Sequence, residues 1–267
     1  MAITTLDGAL AGMQASRFFT KGMTGNIVAG RPLSTWGLNG FPGPGGYDTT
    51  LNGVVVSAAT PGALDFVNPS SGNTYLARLL GSATVGGTLI LADRLWHNGG
   101  LSSTSLTTQF ITSPTWPPRD RDGLTAGTGV YIGAEISALT GSGTPTLTMS
   151  YTNSAGDTAR TATNITSTTS AASTRTFYQL GLQGGDQGVR SVQSITLSSS
   201  WTSGTFNLVA YREISRLDIA TGSTPVSMDL LSGGFQRIYN DSALFFIFVP
   251  AGSTTSAITG QLTWTQG

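Results

Sequence analysis

Between residues 130 and 138 the chain places Val130, Ile132, Ala134, Ile136 and Ala138 on one parity and Tyr131, Gly133, Glu135 and Ser137 on the other. A period of two sorts side chains onto the two faces of a pleated strand, and a helix does not sort them that way. The same alternation sets Ile258, Leu262 and Trp264 against Thr259, Gln261, Thr263 and Thr265. Leu147, Met149 and Tyr151, then Tyr178, Leu180 and Leu182, then Phe206, Leu208, Ala210 and Ile214 continue it. Together these runs predict about ten short strands, each with one dry face and one wet one.

What lies between the runs agrees with strands. Gly, Ser and Thr abound, with 36 glycines, while lysine occurs once, as Lys21, and glutamate only as Glu135 and Glu213. Exposed helices draw on Lys and Glu, so this chain has little to build them from. "YTNSAGDTAR" (151–160) reads as a hairpin with Gly156 free to take a positive φ. "LFFIFV" (244–249) suits a buried strand and is too short to cross a membrane. With 39% hydrophobic residues the chain is not of disordered type. No self-similarity marks a propeller or solenoid. The expected fold is all-β, a jelly-roll-type β-sandwich over residues 51–267, with at most short helices.

Residues 1–50 read differently. Thr5 caps a short helix in which Leu6, Ala9, Leu10 and Met13 share a stripe, and Asp7 faces its positive end. Such a short helix must dock on something. From Arg17 to Tyr47 no period persists: Pro32, Pro42, Pro44 and several glycines interrupt it, and Phe18, Phe19, Trp36, Phe41 and Tyr47 are scattered through it. This is an extended Pro/Gly-rich arm, laid over its own domain or over another subunit. Near the other end, Thr224 and Gly233 bracket a possible short helix after Pro225.

The charges cancel, 13 acidic against 13 basic, and only 10% of residues carry one, against about a quarter in ordinary soluble domains. Nucleic-acid binding needs a basic surface and is not expected, nor is a membrane partner. With no cysteine there are no disulfides, thiolate nucleophiles or zinc-thiolate sites. The N-terminus shows neither a basic start nor an apolar core of a secretory signal, so synthesis in a cytoplasm is expected.

"DRLWHNGG" (93–100) holds the only histidine, His97, beside an acid, a base and a tryptophan. Leu89, Leu91 and Leu95 share one face with Asp93, and Ile90, Ala92 and Trp96 share the other with Arg94, which describes a strand buried on both sides and ended by Asn98-Gly99-Gly100. His97 is then a strand-end residue in a structural role. No G-x-S-x-G elbow, P-loop or G-x-G-x-x-G accompanies it. Glu135 and Glu213 are a formal glycosidase pair but read as solvated positions on strand faces. "RDRDG" (119–123) is only faintly like a calcium loop, without the bidentate acid at its end, and reads as a solvated loop in which Arg119 and Arg121 neutralise Asp120 and Asp122. No catalytic residue, metal or cofactor is expected.

Three segments, "ITTLDGALAGMQ" (3–14), "GNTYLARLLGSATVGGTLILADRLWHN" (72–98) and "GVYIGAEISALTGSGTPTLTMSYTNSAGDTARTATNI" (129–165), resemble a family of tailed-bacteriophage virion structural proteins. The likeness weakens beyond residue 166. It implies a head decoration, or cement, protein made in the bacterial cytoplasm, sited on the capsid's outer surface, binding the major capsid protein and assembling as a homo-oligomer such as a trimer. The candidate contacts are Leu10, Met13, Arg17, Phe18, Phe19, Arg31, Trp36 and Phe41, because aromatics and arginine dominate interface energetics. Two alternatives stand beside it: a tail, adaptor or fibre component, and a carbohydrate-binding module stacking sugars on exposed Trp96, Trp116 or Trp201.

Overall fold

A computed structural model describes residues 3–23, 27–234 and 236–267. In chain order these form α1 (Leu6–Ala11), β1 (Arg17–Met23), β2 (Leu33–Ser34), β3 (Gly40–Phe41), β4 (Val54–Val55), β5 (Thr74–Ala83), β6 (Gly87–His97), β7 (Leu101–Ser102), β8 (Gln109–Phe110) and β9 (Val130–Ala138). There follow β10 (Leu147–Asn153), β11 (Arg160–Asn164), β12 (Phe177–Gly181), β13 (Val189–Leu197), β14 (Thr205–Ile219), β15 (Val226–Asp229), α2 (Leu230–Gly233), β16 (Arg237–Ile238), β17 (Ala243–Pro250) and β18 (Ser256–Gln266). The chain is all-β, in two curled antiparallel sheets of sandwich type. The strand orders below, rather than a jelly-roll winding, are what the structure establishes. Many strands are two-residue pieces, which is why the periodicity predicts fewer.

The chain divides into two compact units: Met1–Gly46, Ser57–Asp93 and Ile214–Gly267 form the first, Tyr47–Val56 and Arg94–Glu213 the second. The division falls inside β6 and inside β14.

In the first unit one sheet has the order β15-β5-β18-β1-β3, with β16 also on β5. β1 lies antiparallel to β18 from Arg17 opposite Leu262 to Met23 opposite Ser256. Gly260 is required there: a Cβ would meet the Phe19 ring at 2.6 Å and the Leu80 carbonyl at 2.1 Å. Phe19, Leu79, Leu262 and Trp264 from this sheet share one core with Leu91, Leu217 and Phe246. Phe19 and Phe246 meet at 4.6 Å between ring centroids. Each such side chain contributes about 1.5–3 kcal/mol on burial.

The segment 17–46 therefore lies over its own unit; residues 24–26 within it are outside the described residues. Lys21, the sole lysine, points inward with Phe19 and Met23 and is 1% exposed. Its ammonium donates to the carbonyls of Pro42 at 2.8 Å and of Leu38 and Gly43 at 3.3 Å each. One buried cation thus gathers three carbonyls of the irregular 38–43 stretch, while the Asn39 carbonyl accepts from the Gly22 amide.

α1 is capped by Thr5, whose hydroxyl accepts from the Gly8 amide at 3.0 Å. Of the expected stripe Ala9 docks and the large residues do not. Ala9 is buried and its carbonyl accepts from the Thr265 hydroxyl at 2.6 Å, while Leu6, Leu10 and Met13 face outward. Small residues let the helix sit close on β18: a Cβ on Gly12 would reach the Gln266 carbonyl at 2.2 Å. The helix expected directly after Pro225 is displaced: β15 comes first, pairing with β5, and α2 is one turn capped by Asp229 rather than Thr224.

In the second unit the strand order is β14-β9-β12-β11-β10-β13-β8, with β7 on β14 and β4 on β6. The sheet wraps a core holding Trp96, Trp116, Ile132, Met149, Tyr178 and Trp201. Asn52 ties Trp96 of β6 to the segment that follows β8, accepting from the Thr112 amide through its side chain at 2.9 Å and from the Trp96 indole through its carbonyl at 2.9 Å. The 151–160 hairpin is present as β10 and β11, with Gly156 at φ 97°. β9 is buried on both faces at its centre, contrary to a dry and wet alternation. Gly133 makes room for the Phe177 ring, and Glu135 is neutralised within the unit.

Candidate functional site

The strand β6 is buried along most of its length and carries the residues singled out by charge. Within the first unit Asp93 is fully buried and accepts from the Ser242 hydroxyl at 2.7 Å and the Ala243 amide at 2.9 Å. Within the second, Arg94 donates from Nη1 to Glu135 Oε2 at 2.9 Å and from Nε to His97 Nδ1 at 3.0 Å. Tyr47 donates its phenol to the other Glu135 oxygen at 3.0 Å. Burial and the glutamate together push that phenol well above its ordinary pKa.

Burial, then the adjoining Arg94 cation, lower the His97 pKa to about 2. His97 is therefore a neutral acceptor that holds an arginine in place, and is unsuited to carry protons near neutral pH. Glu135 has both oxygens engaged in a dry interior, so it is a buried ion-pair member rather than the solvated residue expected from its parity. Glu213 is partly buried on β14.

The 119–123 loop also departs from its solvated reading. Asp120 is fully buried and its carboxylate accepts from four backbone amides, those of Asp122, Leu124, Gly127 and Thr128. Arg119 is buried too, donating from Nη2 to the carbonyls of Val56 at 2.7 Å and Arg94 at 3.2 Å. A short acid followed by glycines organises its own turn in this way, without a counter-ion. Arg121 and Asp122 of this loop form an exposed pair, at 3.6 Å. Among the described residues no cluster of three or more His, Cys, Asp or Glu is placed to hold a metal ion. Nor is any described helix long and apolar enough to cross a membrane.

The candidate contact residues separate by exposure. Phe19 and Trp36 are core side chains; the Trp36 indole donates to the Gly46 carbonyl at 3.0 Å and its ring meets Phe245 edge-on. Leu10, Met13, Phe18 and Phe41 are exposed, Phe18 by 67%. Arg17 pairs with Asp65 at 3.2 Å near the surface, and Arg31 is partly buried. Phe18 and Phe41, with Thr20, Leu80, Thr259 and Gln261, line an open groove of about 430 Å³ on the outer face of the β1-bearing sheet, almost wholly apolar.

Trp96, Trp116 and Trp201 are not exposed. Each is buried, and their indoles donate to the carbonyls of Asn52, Val189 and Thr169. The stacking surface that a carbohydrate-binding module would use is thus absent at these three positions.

Sequence reading missed Tyr47 as a partner of Glu135, because the two lie far apart in the chain. It missed Lys21 as an organiser, although its parity with Phe19 and Met23 signals an inward side chain.

The molecule is thus an all-β chain with two separately cored units, a dry polar cluster in one and an apolar groove on the other. No protein-family model matches the sequence, and no curated protein is significantly similar to it. Among solved structures it is similar to the infectious bursal disease virus VP2 subviral particle, at 10% identity over 96% of this chain and 81% of that one, with a TM-score of 0.22. The infectious bursal disease virus Gx strain structure is similar at 10% identity over 95% and 81%, with a TM-score of 0.19. Nothing about this chain follows from likenesses at TM-scores so low.

Proposed function

We propose that this chain is a structural component of a tailed-phage virion, decorating the outer surface of the capsid and stabilising it by bridging major capsid protein subunits as a homo-oligomer. It acts by covering other protein surfaces and breaks no bonds. The family resemblance of residues 3–14, 72–98 and 129–165 supports this reading. The structural observation that carries it is the groove between Phe18 and Phe41, which remains apolar after the unit's own core is filled. Leu10 and Met13 add exposed apolar surface from the same segment.

Phe18 and Phe41 each bring about 1.5–3 kcal/mol of burial to a partner that covers them, less the cost of association. The double variant Phe18→Ser/Phe41→Ser is expected to keep its far-ultraviolet circular dichroism and to pellet with purified capsids at least roughly tenfold more weakly. Undiminished pelleting of a folded double variant removes the groove from the mechanism. Copy number separates this reading from a tail, adaptor or fibre part: decoration requires a number that scales with the shell.

A further inference from the structure

Residues 47–56 cross the second unit as a strap that contributes nothing to the described core cluster of that unit. Leu51, Val54 and Val55 are instead exposed, by 39 to 45%, and Val56, at the strap's end, is buried. Polar contacts hold the strap. Val54 and Val55 pair with His97 and Trp96, Gly99 donates its amide to Thr50 at 3.0 Å, the Asn98 side chain donates to the Leu51 carbonyl at 2.9 Å, and Val56 donates to Leu95 at 3.1 Å. A segment attached in this way opens before the sheet beneath it.

Its first residue is fastened by ionisable groups. Tyr47 reaches Glu135 through its hydroxyl, lies 5.9 Å from the Arg94 guanidinium and sets its ring edge-on to His97 at 6.3 Å. We propose that Tyr47–Val56 is an acid-released strap, freed from the second unit when His97 takes a proton while the sheet of that unit stays folded.

The chemistry is local. His97 Nδ1 accepts from Arg94 Nε, so the neutral ring carries its proton on Nε2. A proton on Nδ1 removes the acceptor and sets imidazolium against guanidinium in a dry interior. The other charged and titratable groups are Glu135 from β9, already held by Arg94 and Tyr47, and Arg175 before β12, whose charge reaches Tyr47. Arg119 lies behind the Arg94 carbonyl, and the Asp48 carboxylate is bonded to the Thr49 amide and the Thr50 hydroxyl. Release uncovers the edge of β6 at Trp96 and His97, where β4 pairs.

The assignment is clean because His97 is the only histidine and cysteine is absent. With the strap closed His97 stays neutral; on opening its ring meets water and regains an ordinary imidazole value near 6.5, while carboxylates titrate near pH 4 and tyrosine near 10, so proton uptake that accompanies opening between about pH 6.5 and 5 belongs to His97. The strap's opening constant then rises by roughly tenfold per pH unit below about 6.5.

Hydrogen exchange of the full chain, corrected for the intrinsic pH dependence of exchange, compares peptides spanning 47–56 with peptides spanning 130–138 from pH 7 to 5. The strap is expected to lose protection at that slope while β9 does not, and His97→Gln is expected to abolish the slope. A strap whose protection ignores pH, a slope that survives His97→Gln, or strap and β9 opening together each overturns the proposal. Should His97→Gln fail to fold, Tyr47→Phe serves: it is expected to open the strap more at every pH while keeping the slope, and a flat profile in that variant overturns the proposal.

Discussion

Arg94 of β6 and Glu135 of β9 reach each other past the intervening β14, within the second unit, with 2.9 Å between Nη1 and Oε2, and neither side chain is accessible to solvent. Isolating one member of such a pair leaves a charge with neither water nor partner. Glu135→Ala and Arg94→Ala are each expected to cost about 3–5 kcal/mol, and the double variant much less than their sum. Denaturant unfolding in a double-mutant cycle measures this; additive losses would show the pair to be uncoupled.

Lys21 offers a chemical test of the first unit. Its ammonium is buried against three carbonyls, so an amine-reactive ester is expected to leave it unmodified in the native protein and to modify it after denaturation. Peptide mass spectrometry reads the site. Rapid native labelling at Lys21 would place the 38–43 stretch elsewhere.

Asp186 should make part of the stability acid-sensitive. It accepts from Arg160 at 3.1 and 2.7 Å, from the Asn153 amide at 2.8 Å and from the Tyr151 phenol, and these bonds, the Arg160 pair foremost, hold its carboxyl far below the usual range. A lowered folded-state value means stabilisation that is present above the unfolded value of about 3.9 and is lost as pH falls below it. Asp186→Asn is expected to cost about 1–3 kcal/mol at pH 7 and to flatten the stability profile below about pH 4. An unchanged acid limb would assign that sensitivity to other carboxylates.

All five tryptophans are buried, none more than 1% exposed. Emission is expected to be blue-shifted and weakly quenched by acrylamide, and Trp201→Ala to destabilise the second unit by about 3–5 kcal/mol rather than to remove a sugar site. A red-shifted, readily quenched spectrum would return these rings to the surface.

The all-β class and the doubly buried β6 could be read directly, because period-two patterns and continuous apolar runs report local burial. So could the 151–160 turn. What could not be read is long-range. The parity of Glu135 reads as solvated until Arg94 and Tyr47 arrive from distant segments, and the apparently aimless stretches 17–23 and 38–43 take their places because β18 offers a register for β1 and Lys21 gathers carbonyls. The stripe on α1 held at Ala9 and misled at Leu6, Leu10 and Met13 for a different reason: Ala9 and Gly12 permit close backbone approach, so the small residues pack and the large ones face out. One practical consequence is that deleting residues 1–50 would remove β1, β2, β3 and part of the first core, so side-chain variants test the contact surface better.

The central claim is capsid decoration, and the stoichiometry of the polypeptide in purified virions tests it most directly. Quantitative mass spectrometry against the major capsid protein is expected to give a number comparable to the shell's own subunit count. A particle lacking the polypeptide, or carrying only the few copies that a single vertex or tail accommodates, would contradict it.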